Sequence, residues 1–253
     1  MSKSDHTLPN PPIVEAVLDV ECDLPPGQEI AGLEGLAREC FRDRYPKFRT
    51  QFVQEHKIAA KPGEPPEVSV RHGVQAFQLL QEDEKQLVQV RVQGFSFNRL
   101  APYTSLDDYL PEIERIWRLY VGLAKPLQIR LIRLRFINRI LLPMREGRVQ
   151  LDDFFKVGPR LPEEDKLALV GFLIQHAAVE VETGNQVNIV LTGQKPEGDK
   201  LPVIFDNCVA AVEPGEPEDW SWILAKIQAL RGLKNRIFRS TVTETCVDLF
   251  RQP

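Results

Sequence analysis

Residues 126–143 read PLQIRLIRLRFINRILLP, and their alternation decides the fold. Ile132, Leu134, Phe136, Asn138, Ile140 and Leu142 fall on one side of a two-residue repeat, while Arg133, Arg135, Ile137, Arg139 and Leu141 fall on the other. Successive side chains of a strand point to opposite faces. The spacing therefore predicts a strand with an apolar face, interrupted by one amide, and an arginine-lined face. The stretch lies at the middle of 253 residues, and similar orders of elements run outward from it in both directions.

Immediately before it, Leu110, Ile113, Ile116, Trp117, Tyr120 and Ala124 make a wide apolar stripe at helical spacing. Ser105 and Asp108 have capping-box spacing, but Pro111 belongs in a first turn, which points instead to an N-cap at Asp107 or Asp108. Three extended segments precede that helix, at 48–60, 67–81 and 86–98, with turns at 61–66 and 82–85. In the third, Val88, Val90 and Val92 alternate with Gln89, Arg91 and Gln93, and Gly94 marks a bulge or a close backbone approach. Residues 28–43 carry Ile30, Leu33, Leu36, Ala37, Cys40 and Phe41, an amphipathic helix closing near 44–46. Residues 13–22 alternate again, with Val14, Ala16, Leu18 and Val20 against Glu15, Val17, Asp19 and Glu21. Asn10-Pro11-Pro12 sets an extended entry after a polar, frayed tail at 1–9.

On the other side, a short acidic-aromatic segment at 151–155 stands where the first helix stood. Strands are expected at 167–182, 186–193 and 201–212, although the first also fits a short helix. Residues 217–219 open a long helix through Trp220, Ile223, Ile227, Leu230 and Leu233, which is expected to break after Phe238. Thr241 to Glu244 then form a capping box for a final helix over 242–250. The doubled order predicts an α+β fold: a curved antiparallel sheet built from two pseudo-repeats, 1–125 and 126–253, in one continuous unit with helices mainly on one face. Two plans fit, TATA-binding-protein-like and helix-grip-like.

Composition narrows the function classes. At 43% hydrophobic and 27% charged, the chain is too apolar for disorder. A net charge of −4 exerts no global pull toward nucleic acid or anionic membrane. Cys22, Cys40, Cys208 and Cys246 are scattered, which fits a reducing cytoplasm and neither a disulfide framework nor a zinc site. No apolar run reaches membrane-spanning length. Phosphate-loop, dinucleotide, nucleophile-elbow and HExxH motifs are absent. His56, His72 and His176 fall in strands without ligand-spaced neighbours, and Asp107-Asp108, Asp152-Asp153 and Glu163-Glu164 read as helix starts or solvated turns. Neither a cofactor nor a metal is expected, and an enzyme is the last-ranked reading.

The candidate surface is the open side of the sheet. Gln89, Arg91 and Gln93 join Arg133, Arg135 and Arg139 there, beside Glu15, Asp19 and Glu21. If the first strands of the two halves meet, an acidic strand lies against a basic one. Cross-strand ion pairs on a solvated face are then the plain reading. A groove that holds a carboxylate or phosphate through arginine forks is the sharper one. Phe95 and Phe97, read on the face of Arg91, would add base stacking, against which the acidic neighbours weigh. Arg99 and Tyr103 either clamp the turn into the second helix or rim the groove. Asn138, polar on an apolar face, is expected to pin backbone.

Asn10-Pro11-Pro12-Ile13-Val14-Glu15-Ala16 opens the chain, and Phe95-Ser96-Phe97-Asn98-Arg99-Leu100 with Pro102-Tyr103 marks its middle. Arg135-Phe136-Ile137-Asn138-Arg139-Ile140 follows, and Leu233-Lys234-Asn235, Phe238 and Thr243-Glu244 close it. Together these resemble a sporadically distributed family of uncharacterised bacterial proteins of this length. The resemblance spans essentially the whole chain and carries over no catalytic residue. The family's scattered occurrence implies mobile genes, such as toxin–antitoxin or phage-defence modules. The expected function is a non-enzymatic interaction protein that binds another protein; the alternative is a ligand- or nucleic-acid-binding module using the arginine face. Homo-oligomerisation stays open.

Overall fold

The computed structural model describes residues 8–59, 67–91, 93–159 and 170–251. The expected turn at 61–66, most of the tail, Val92, residues 160–169 and the side chains of His56 and His72 lie outside the described residues. The first half runs β1 (Ile13–Asp23), α1 (Glu34–Phe41, entered through a 3-10 turn at Ile30–Leu33), β2 (Lys47–Ala59), β3 (Glu67–Leu80), β4 (Gln86–Arg91), β5 (Gly94–Leu100) and α2 (Leu106–Ala124). The second runs β6 (Gln128–Pro143), a 3-10 turn at Leu151–Asp153, β7 (Leu173–Val179), β8 (Gln186–Gly193), β9 (Lys200–Ala211), α3 (Trp220–Thr241) and α4 (Glu244–Asp248).

Among the described residues nine strands form one open antiparallel sheet, ordered β2-β3-β4-β5-β1-β6-β9-β8-β7. The fold is α+β. The acidic strand does lie beside the basic one: β1 pairs with β6, with Asp19 opposite Arg133 and Val17 opposite Arg135. Alternation sorts the two faces as read. Ala16, Leu18 and Val20 join Ile132, Leu134 and Phe136 under the helices. Phe95 meets the Trp117 ring edge at 5.7 Å and Tyr120 at 5.4 Å, so the stripe of α2 seats on β5. Ile223, Ile227, Leu230 and Leu233 of α3 are buried in the same core. A second cluster, with Ile140, Phe154, Phe205, Cys246 and Phe250, lies under α4.

Several expectations are corrected. Residues 86–98 form a hairpin rather than one strand, with Arg91 paired to Gly94. The turn resets the alternation, so Phe95 and Phe97 face the helices and not the side of Arg91. Gly94 has φ +138°, and a Cβ there would lie 2.1 Å from the Val20 carbonyl oxygen. The close approach is real, and only glycine fits it. In the first helix Leu36 is 51% exposed and Cys40 is also outside, because the element starts as a 3-10 turn and rotates the stripe. Ser105 is the N-cap of α2, accepting from the Asp107 amide at 3.3 Å. Pro111 stands in the second turn, inside the helix and on its exposed side. Helix α3 continues past Phe238 to Thr241, and the cap of α4 is Thr243, whose Oγ1 accepts from the Cys246 amide at 3.2 Å. The segment that also fitted a helix is strand β7 over Leu173–Val179.

Candidate functional site

On the open face, strand pairing brings each central arginine to a carboxylate. Arg91 reaches Asp19 at 2.9 Å, and Arg133 bridges Asp19 at 3.5 Å and Glu21 at 3.3 Å. Arg135 grips Asp206 of β9 with Nε at 2.9–3.0 Å and Nη2 at 2.5 Å. Arg139 meets Glu197 at 2.5 Å. Asp19 and Asp206 are buried, so these pairs give hydrogen-bond partners to carboxylates that water reaches poorly. Gln89 donates to Asn98, whose amide nitrogen donates to Glu15 at 2.7 Å. Gln93 sits in the hairpin turn, exposed, and its carbonyl accepts from the Cys22 amide. Burial pushes the Cys208 thiol, beside Arg133, up to about 11, so it stays protonated at neutral pH.

Arg99 and Tyr103 belong to the opposite face. Arg99 donates to the Pro102 carbonyl at 3.3 Å and lies 5.5 Å over the Tyr109 ring, which clamps the turn. Tyr103 lines a cleft on the helix side, of about 460 Å³. That size suits a small ligand or a few side chains of a partner. Its floor is Phe136 and Asn138 of β6. Pro11, Pro12 and Ile13 form one wall, the start of α2 another, and Lys234, Asn235 and Phe238 of α3 a third. Glu244 and Val247 of α4 close the end.

The backbone holds these walls in place. The Arg139 amide donates to the Pro12 carbonyl at 2.8 Å, and the Asn10 amide to the Phe250 carbonyl at 3.2 Å. Arg231 of α3 reaches Asp107 of α2 at 2.7 Å. The fully buried Asn207 donates to the Lys234 carbonyl at 2.9 Å, which pins α3 to β9. Lys234 Nζ stands 4.0 Å from the centre of the Phe136 ring, and the Tyr103 ring lies perpendicular to Phe136 with centroids 5.7 Å apart. Asn138 is 2% exposed, and its amide nitrogen donates to the Phe136 and Phe205 carbonyls at 3.2 and 3.0 Å. It pins backbone as expected, and it also stands in the cleft floor.

The structure thus separates the candidate residues into two groups. Gln89, Arg91, Arg133, Arg135 and Arg139 share the open face, and Tyr103 lies across the sheet in the cleft. The cleft as a unit was not legible from charge or chemical motifs. The signal that could have found it was the set of segments at 10–16, 102–103, 135–140 and 233–244, each of which contributes lining residues. Among the described residues no group of three or more histidine, cysteine or carboxylate side chains gathers to hold a metal, and no helix is long and apolar enough to cross a membrane. Compared with family models, curated proteins and solved structures, the chain matches none.

Proposed function

We propose that this chain acts by binding, as a cytoplasmic interaction protein that holds another protein, and that the partner inserts a segment into the cleft. One observation carries the reading: four sequence-distant stretches, which share Pro11, Pro12, Ile13, Tyr103, Phe136, Asn138, Lys234, Asn235, Phe238 and Glu244 with the family resemblance, converge on this concavity, while its 95–100 motif lies outside. Its floor carries Phe136, its charged lining is Arg231, Lys234, Arg239, Arg251 and Glu244, and among the described residues neither histidine nor cysteine lines it. Such a surface recognises an apolar group flanked by polar ones and has little to drive a reaction with. In this reading the chain is itself the antitoxin-like or phage-defence-module member that holds the other protein, a role that rests on the family resemblance.

The alternative, ligand or nucleic-acid binding on the arginine face, has to displace carboxylates already bound to the guanidinium groups at 2.5–3.5 Å. Affinity capture from the native host separates the two. One variant carries Val247→Glu and Tyr103→Ser in the cleft; the other carries Arg133→Gln, Arg135→Gln and Arg139→Gln on the open face. A partner kept by the second variant and lost by the first supports the cleft. The reverse pattern moves the site to the sheet face.

We also read the two halves as copies of one α+β unit on the TATA-binding-protein plan, in preference to the helix grip. The placing of β5 beside β1 and β9 beside β6, the last strand of each half next to its first, supports this, although the first half carries four strands after its helix where three were expected and β2 has no counterpart among the described residues. Superposing backbone 13–124 on 128–241 tests it, and mismatched helix positions would remove the duplication.

A further inference from the structure

The two edges of the sheet differ in kind. At one edge β2 carries Lys47 and Arg49, which pair with Glu84 at 3.2 and 2.5 Å. Charges of this sort keep an edge strand from pairing with strangers. At the other edge β7 reads LIQHAAV and contains no lysine, arginine, aspartate or glutamate. Leu173 is 68% and Val179 60% exposed. Gln175, His176, Ala177 and Ala178 are exposed too, and Ile174 alone of the strand packs against the second core cluster.

The ladder to β8 shows which backbone groups stay open. The Gly193 amide donates to the Phe172 carbonyl and the Glu180 amide to the Asn185 carbonyl. Even-numbered residues of β7 therefore bond β8, and Leu173, Gln175, Ala177 and Val179 turn their N–H and C=O groups outward. Among the described residues no strand pairs with that edge.

We propose that β7 is a dimerisation strand, pairing antiparallel with β7 of a second copy across a twofold axis. The strand is self-complementary. The register that engages all four outward residues lays Leu173 against Val179 and Gln175 against Ala177. Ile174 then meets Ala178 on the other face, and His176 faces its own copy on the axis. Leu173 meets Val179 on one face and Ile174 meets Ala178 on the other, and no like charges of Lys, Arg, Asp or Glu oppose one another within the strand. A charged partner strand would find no counterion within β7, whereas a second copy matches it along its whole length.

The test uses the full chain in a sedimentation-equilibrium concentration series, with circular dichroism to check folding. Wild type is expected to be dimeric. Ala177→Pro removes one outward N–H and leaves the β8 ladder bonded, so it should weaken the dimer at least tenfold while staying folded. His176→Cys places two thiols opposite each other in a non-hydrogen-bonded pair, with Cα atoms about 4.5 Å apart and within disulfide range. Mild oxidation should give a covalent dimer there and none with Ala178→Cys, which lies off the axis. A monomer at every concentration overturns the proposal. So does a dimer indifferent to Ala177→Pro, or cross-linking equal at 176 and 178.

Discussion

The two faces of the central strands β1, β6 and β9 treat polar groups in opposite ways. On the open face five charged side chains, Asp19, Glu21, Arg133, Arg135 and Asp206, lock one another in ion pairs. On the helix face Asn138 and Asn207 stand among apolar side chains and bond backbone. A charge matched inside its own sheet stabilises the fold and has little left for a ligand. An amide in the floor of an apolar cleft fixes the walls and meets whatever enters. The contrast teaches that the most conspicuous charges in a sequence can be its structural ones.

The sharpest way to break the contrast is Asn138→Asp. The shape is kept, but a carboxylate would face the Phe136 and Phe205 carbonyls at a site 2% exposed. That should cost about 3 kcal/mol or more at neutral pH. Near the wild-type midpoint this corresponds to a Tm lower by roughly 6–12 °C. Burial and the carbonyls raise the folded pKa of the new acid above its unfolded value. The loss should therefore shrink as pH falls toward about 4, where the protonated acid can donate to one carbonyl. Thermal unfolding across pH checks it; a pH-independent loss would show that the amide is not a donor to those carbonyls.

Next in size is Arg135→Ala on the open face. It leaves Asp206, 9% exposed, without its bidentate partner, and should cost about 2 kcal/mol. Partner capture should be unchanged. The triple replacement of Arg133, Arg135 and Arg139 by glutamine should lower Tm further. A triple variant that melts like wild type would mean that the pairs are incidental and would return the arginines to a binding role.

Much of this contrast was legible beforehand. Alternation placed 16–21 and 132–142 on their correct faces, while register shifts at Ile13/Glu15 and Glu21/Cys22 put Ile13 rather than the expected Val14 in the helix-side core and brought Ile129 there out of phase with Ile132. The neighbouring of acidic and basic strands followed from the doubled order. What was not legible depended on events that parity cannot register. The turn at Arg91–Gly94 moved Phe95 and Phe97 across the sheet. The cleft needs α3 to run on to Thr241 and the entry segment to fold back along β6, both of them tertiary outcomes. The pairing of Arg135 with Asp206 needed the β6–β9 register, which no local pattern carries.

A third test asks whether a matched carboxylate in the helix layer behaves like Asp206. Burial by itself pushes the Glu112 carboxyl up, but the Arg115 guanidinium, the Tyr45 hydroxyl and Arg44 outweigh it and hold it below its ordinary 4.5. A folded pKa below the unfolded one means that the unfolded chain binds the extra proton first. The stabilisation is therefore complete above about 4.5 and is lost as pH falls below it. Glu112→Gln should flatten stability against pH in that acid window, with a loss at neutral pH smaller than that of Arg135→Ala. An unchanged acid slope would show that other carboxylates control it.

The smallest effect should come from Arg139→Ala, and its smallness is the point. Arg139 meets Glu197 at 2.5 Å, as short a contact as that of Arg135 with Asp206. The side chains are 32% and 58% exposed, however, and Glu197 sits at a turn bridging to Lys200. Water screens such a pair and ordering the two chains offsets the attraction, so the change should cost less than about 0.5 kcal/mol and vanish in high salt. The Arg135 pair, with its acid buried, should keep its effect under the same salt. Equal distances with unequal burial thus make the two variants a direct comparison of desolvation. If Arg139→Ala lowers Tm as far as Arg135→Ala does, burial of the acid is not what makes the open-face pairs structural, and the division between the two faces falls with it.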